Sequence, residues 1–126
     1  MTTLSVIAPI YNEVENIPEL YRRVCDVLEP AVDSWEIIMV DDGSSDGSTD
    51  LIRQLAERDE RVRPVIFARN FGHQIALTAG LDYSRGDAVV IIDADLQDPP
   101  QVILDLMAKW REGYEVIYAV REEREG

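Results

Sequence analysis

Apolar, β-branched runs alternate with helix-period stretches along almost the whole chain. The runs predict strands at Leu4 to Pro9, Trp35 to Val40, Val62 to Phe67, Ala88 to Ile92 and Glu115 to Val120. Four helical patterns separate them. The first begins at Asn16, where Asn-x-x-Glu through Glu19 has the form of a capping box with Pro18 in the first turn; its stripe is Ile17, Leu20, Val24 and Leu28. The second follows Ser48, read as its cap, with Leu51, Ile52, Leu55 and Ala56 facing inward. The third covers Gln74 to Tyr83, where the small pair Ala79-Gly80 permits close packing on a sheet. The fourth runs from Pro99 to Arg111 behind an Asp98 cap, on Val102, Ile103, Leu106, Met107 and Trp110. Strands apolar on both faces and joined by helices predict an α/β fold: an open, doubly wound, mainly parallel sheet with helices on both faces.

Polar clusters fall at the predicted carboxyl ends of strands one, two and four, which is where open α/β sheets bind ligands. They are Tyr11-Asn12-Glu13, the run Asp41 to Ser48, and Asp93 to Gln97. The last is the most informative, because a fully apolar strand stops on two carboxylates spaced two residues apart. Side chains alternate along an extended backbone, so Asp93 and Asp95 point the same way, and Gln97 joins them if the extension continues. Three oxygen donors on one face suit Mg²⁺ or Mn²⁺, which complete their shells with water and substrate phosphates. A plainer alternative is a strand ending in a polar turn. If the strand order is 3-2-1-4, the winding reverses between strands one and four, and Tyr11, Glu13, Asp93 and Asp95 line one crevice with Asp42 at its side. Asn12 and Glu13 are also compatible with ordinary loop and capping roles.

Length and composition narrow the chemistry. The 126 residues, 46% apolar, form one domain over residues 1–120, with a charged tail or the start of a further loop at 121–126. A formal charge of −13, from 25 acidic and 12 basic residues, argues against a nucleic-acid groove or an anionic-lipid face. An anionic ligand therefore needs a metal to offset that charge. The lone Cys25 reads as core filler in a reducing compartment. No apolar stretch is long enough to cross a bilayer and the N-terminus has no signal-like run, so the expectation is a soluble, unprocessed chain. Neither a G-x-G-x-x-G after strand one nor a phosphate-loop signature is present, which disfavours dinucleotide and P-loop chemistry. His73, the one histidine, lacks a paired nucleophile and reads as a cap or surface residue.

At these clusters the chain resembles a known family. Pro9-x-Tyr11-Asn12-Glu13, Val40-Asp41-Asp42-Gly43-Ser44, Asn70-x-Gly72 and Asp93-Ala94-Asp95 follow the ordered motifs of family 2 glycosyltransferases with the Rossmann-like glycosyltransferase A fold. Arg69 to His73 and Asp93 to Pro99 resemble its polyprenyl-phosphate hexosyltransferase branch, which includes bactoprenol glucosyltransferases and dolichol-phosphate mannose synthases. The resemblance covers the donor-binding half of such an enzyme. It implies that Pro9, Tyr11, Glu13, Val40 and Asp42 hold the nucleoside, that Asp93, Asp95 and Gln97 hold Mg²⁺ or Mn²⁺ and the pyrophosphate, that Ala94 packs by the ribose, and that Arg121 contacts donor phosphate. Asp95 is the catalytic residue in that set.

The implied reaction is inverting transfer of a hexose from a nucleotide sugar, UDP-glucose-like or GDP-mannose, to a polyprenyl phosphate. A phosphate acceptor is already anionic, with a second pKa of about 6, so it needs no general base. The acceptor segment and membrane contact belong to parts not in this chain, which is expected to bind donor better than it catalyses. The whole protein is expected at the cytoplasmic face of the membrane. Two alternatives are a family 2 enzyme acting on a saccharide and, from another class, a Mg²⁺-binding receiver-like signalling domain, which also uses an acidic pair after a strand.

Overall fold

A computed structural model describes residues 4–95 together with 104, 105 and 108. In chain order the elements are β1 (Leu4–Ile10), α1 (Ile17–Leu28), β2 (Trp35–Asp41), α2 (Ser48–Arg58), β3 (Val62–Ile66), α3 (His73–Tyr83) and β4 (Ala88–Ile91). The strands form one parallel sheet in the order β3-β2-β1-β4. Residues 104, 105 and 108 are helical, within the predicted fourth helix. The predicted fifth strand, Gln97, the Asp98 cap and Arg121 lie outside the described residues.

Side-chain alternation sorts the strands' apolar residues onto two faces. Leu4, Val6, Ala8, Ile37, Met39 and Val90 join Ile17, Leu20, Val24 and Leu28 of α1 and Ile52 and Leu55 of α2 in one core. Ile7, Ile38 and Val40 point the other way, onto Ala76 and Ala79 of α3. Helices therefore cover both faces, and strands buried on both sides carry the unbroken apolar runs seen in the sequence. α3 approaches closely because Gly80 has no side chain: a Cβ there would lie 2.5 Å from Ile7 Cγ2.

Two helix starts differ from the sequence reading. Asn16 is the N-cap of α1 by position, but its side chain makes no capping bond. Its Nδ2 donates instead to Glu13 Oε1 at 2.8 Å, and Glu19 pairs with Arg22 and Arg23 rather than reaching back. Ser48 is the first residue inside α2, after an N-cap Gly47 at φ +100°, so it is not the cap. The Asp46 carboxylate takes that role, accepting the Ser48 amide at 3.0 Å.

At the amino ends of the strands, buried Glu36 ties the layers together. It accepts bonds from Ser5 Oγ at 2.6 Å, the Arg85 amide at 2.8 Å and Arg63 Nη1 at 2.8 Å. Burial alone would raise its pKa, yet these donors hold it below its ordinary value.

A second polar anchor joins α1, α2 and β3. Asp59, at the end of α2, accepts Arg61 Nε and Nη2 at 3.0 and 2.9 Å and the Tyr21 hydroxyl at 2.6 Å. The Arg61 guanidinium also lies 4.2 Å from the Trp35 ring centroid. The Arg61 bonds, with help from Tyr21 and against the effect of burial, lower the Asp59 pKa from 3.8 to about 2. A carboxylate depressed on folding stabilises the fold fully above its unfolded pKa, and that contribution fades as pH falls through the folded value. Asp59→Asn is expected to cost about 1–2 kcal/mol at pH 7. In urea titrations the gap from wild type should close between the ordinary 3.8 and about 2. A gap independent of pH would assign Asp59 to packing alone.

Candidate active site

The strand order puts the reversal of winding between β1 and β4, and the crevice opens there. Its first lobe, of about 260 Å³, is lined by Pro9, Ile10, Tyr11, Asp42, Asn70, Gly72, His73 and Ala76. The second, of about 350 Å³, is lined by Pro9, Tyr11, Glu13, His73, Asp93, Ala94 and Asp95. Pro9, Tyr11 and His73 belong to both, so the two lobes form one continuous groove.

Asp42 shapes the first lobe. It follows β2 directly, is 4% exposed, and its amide donates to Ile10 O at 2.8 Å. Its Oδ1 accepts the Phe71 amide at 2.7 Å; Oδ2 accepts the Gly72 amide and Asn70 Nδ2, both at 3.1 Å. One carboxylate thus fixes the turn that enters α3, and Oδ1, which accepts one bond where Oδ2 accepts two, keeps acceptor capacity. The turn passes so close that a Cβ on Gly43, at φ +77°, would lie 2.3 Å from the Arg69 carbonyl carbon. Neighbouring Asp41 is fully buried and faces its own loop, accepting the Ser44 amide at 2.9 Å and the Thr49 hydroxyl.

The loops after β1 and β2 are fastened to each other by reciprocal bonds. The Asn12 amide donates to Ser44 Oγ at 2.9 Å and the Ser45 amide returns to Asn12 Oδ1 at 2.8 Å. The Glu13 amide reaches Ser48 Oγ at 3.2 Å and the Val14 amide reaches Asp46 Oδ2 at 3.0 Å. Asn12 adopts φ +53°, a left-handed conformation that asparagine tolerates and that aims its side chain across the gap. Of these serines the sequence suggests a role for Ser48 alone, as a helix cap. Two adjacent polar loops leaving neighbouring parallel strands were the available signal.

In the second lobe the backbone does not stay extended. The last ladder bond is Ile92 N to Ile7 O at 3.0 Å, and Ala94 and Asp95 lie in a turn. Asp93 and Asp95 still border the same lobe, with Ala94 buried between them. Of the other predicted nucleoside contacts, Pro9 and Tyr11 line both lobes and Glu13 lines the second. Val40 does not reach the surface; it lies wholly buried in the core beneath α3. His73 is not a cap, since Gly72 holds that position at φ +105°, but it is exposed as read.

The donor set fits a hard divalent cation. Two carboxylates bordering an open lobe leave room for water and phosphate oxygens, the arrangement Mg²⁺ and Mn²⁺ accept. No cluster of three or more His, Cys, Asp or Glu side chains suited to a metal occurs among the described residues.

The topology decides between the classes. In receiver-like domains β1 lies between β2 and β3, whereas here it lies between β2 and β4, the Rossmann half-order. A sequence profile described as Glycosyl transferase family 2 matches residues 5–126. The chain belongs to glycosyl transferase family 2. Family 2 relatives include the uncharacterized glycosyltransferase YkcC of Bacillus subtilis, 51% identical over 97% of this chain. Another is the undecaprenyl-phosphate 4-deoxy-4-formamido-L-arabinose transferase of Salmonella choleraesuis, 42% identical over 97% of this chain. The chain spans 38% of the length of each. Among solved structures, the mannosyltransferase PcManGT of Pyrobaculum calidifontis, in complex with GDP-Man and Mn²⁺, is 30% identical with a TM-score of 0.68, over 85% of this chain and 31% of its own. The glycosyltransferase A fold of family 2 is thus the fold seen here. No helix of the described residues is long and apolar enough to cross a membrane.

Proposed function

We propose that this chain binds the nucleotide sugar in an enzyme that transfers the sugar, with inversion and with a divalent metal, to a polyprenyl phosphate. The observation that carries the reading is the pairing of Asp93 and Asp95 with Tyr11 and Glu13 in one lobe, continuous with a second lobe over Asp42. The nucleoside occupies the Asp42 lobe, where Oδ1 accepts a base N–H and Tyr11 offers its half-exposed ring. The diphosphate lies in the other lobe, where Asp93 and Asp95, with Gln97, hold Mg²⁺ or Mn²⁺. A cation bound there neutralises charge developing on the departing diphosphate. Residues 1–120 are the donor-binding unit, and Arg121 is a further phosphate contact.

The Salmonella relative's name supports a polyprenyl-phosphate acceptor, and the complex of the Pyrobaculum enzyme supports a nucleotide sugar with a divalent metal. The transferred group is a hexose from a UDP-glucose-like donor, with GDP-mannose second, although that relative's name carries a modified arabinose. A charged soluble donor and a lipid acceptor put the reaction at the cytoplasmic face of a membrane. The direct test is calorimetric titration with UDP and GDP, each with and without Mn²⁺. Binding of one nucleotide only with metal is expected. Metal-independent binding, or none, would remove the reading.

The Asp42 assignment has its own check. Asp42→Ala removes the acceptor and frees the turn at 70–72, both away from the diphosphate. It is expected to weaken nucleoside mono- and diphosphate by similar factors, each about tenfold. A loss confined to the diphosphate in Mn²⁺ would move Asp42 into the metal site.

A further inference from the structure

The two lobes meet at His73, and its chemistry is unlike that of the rest of the groove. Among the described residues, the ionisable side chains around it, Asp42 after β2, Glu13 after β1, and Asp93 and Asp95 beyond β4, are acidic apart from the Tyr11 phenol. Among the described lining residues His73 alone can carry positive charge, and in either tautomer it keeps a ring N–H donor. It is the first residue of α3, downstream of the turn that Asp42 fixes through the Phe71 and Gly72 amides. The backbone that carries the imidazole is therefore held from β2.

A nucleotide with its base in the Asp42 lobe and its terminal phosphate beside Asp93 and Asp95 must pass the shared wall. The groups that pass there are the ribose and the phosphate attached to it. Of the three shared residues, Pro9 has no N–H donor and Tyr11 carries a single hydroxyl at the end of a half-exposed ring. We propose that His73 is a donor-binding residue whose imidazole N–H contacts the ribose-linked phosphate, between the nucleoside lobe and the metal lobe. This rests on the function proposed above. It assigns His73 a share in selecting nucleotides over nucleosides that does not pass through the metal.

His73 is the only histidine in the sequence, so its ring gives an unambiguous NMR signal. The labelled chain is titrated in Mg²⁺ with nucleoside, monophosphate and diphosphate of the uracil and guanine series, with amide spectra reporting the fold. In wild type the monophosphate is expected to shift the His73 ring resonances further than the nucleoside does. His73→Ala is expected to weaken mono- and diphosphate about tenfold or more, with nucleoside affinity held within about twofold. His73→Gln, which keeps an N–H donor, recovers part of the loss. Wild-type nucleotide affinity in His73→Ala overturns the proposal, as does an equal loss for nucleoside and monophosphate, which would mean that His73 only shapes the lobe. A chain that binds neither series in wild type overturns the functional reading and this inference together. Wild-type binding with an unmoved His73 ring overturns the inference alone.

Discussion

The Asp95→Asn variant is expected to lose roughly a hundredfold in Mn²⁺-dependent affinity for its nucleoside diphosphate while keeping the wild-type far-ultraviolet spectrum. Asp95 sits in a turn past the last ladder bond of β4, so the substitution leaves the sheet intact. It removes one of two adjacent carboxylates bordering the second lobe, and a neutral amide oxygen is a weaker ligand for a hard cation. With no cation, Glu13, Asp93 and Asp95 repel a diphosphate, so neither protein is expected to bind it in chelator. Nucleoside affinity, read by calorimetry, is expected to be the same in the variant as in wild type, which separates metal ligation from a general loss of the site. Undiminished affinity in Mn²⁺ would show that the carboxylate pair does not hold the metal.

The second large effect is expected at Gly43. Its φ of +77° strains any side chain, and a Cβ would lie 2.3 Å from the Arg69 carbonyl carbon and 2.4 Å from the Asn70 amide nitrogen. The obstruction is backbone, which no rotamer change relieves, so the segment 69–72 has to move outward. That movement pulls the Phe71 and Gly72 amides from Asp42 and leaves a buried carboxylate short of donors. Gly43→Ala is expected to destabilise the fold by about 3 kcal/mol or more, read by urea unfolding, and to weaken nucleoside monophosphate binding in whatever fraction stays folded. A cost under about 1 kcal/mol would show that the loop yields easily and that the close approach is unimportant.

Much of the architecture was legible in the sequence because strands buried on both faces cannot hide their composition. The observed strands begin where the apolar runs predicted and end within one residue of them, and the conditional order 3-2-1-4 is the one found. β2 extends one residue further because the Asp41 side chain turns into its own loop, leaving its backbone free to pair with Ile10. Helix starts were less legible, because the groups that complete them are remote in sequence or inverted in order. Asp46 caps from outside the position the sequence suggested, and Asn16 bonds Glu13 instead of its own helix. The two acidic clusters reached one crevice as read, yet the double duty of Asp42 did not show. A carboxylate that binds backbone amides 29 and 30 residues away leaves no local pattern. The same holds for His73, whose place at the junction of two lobes follows from the turn at Gly72 rather than from its neighbours.

The fastening of the first two loops to each other bears on any attempt to change donor preference by transplanting segments. A graft of residues 42–48 alone from an enzyme with a different nucleotide would strip acceptors from the Asn12, Glu13 and Val14 amides, while a graft of 11–16 alone would strand the Ser45 amide. The two loops are one heritable unit split across the chain, and chimeras that exchange them together are the ones that keep both strand ends in register.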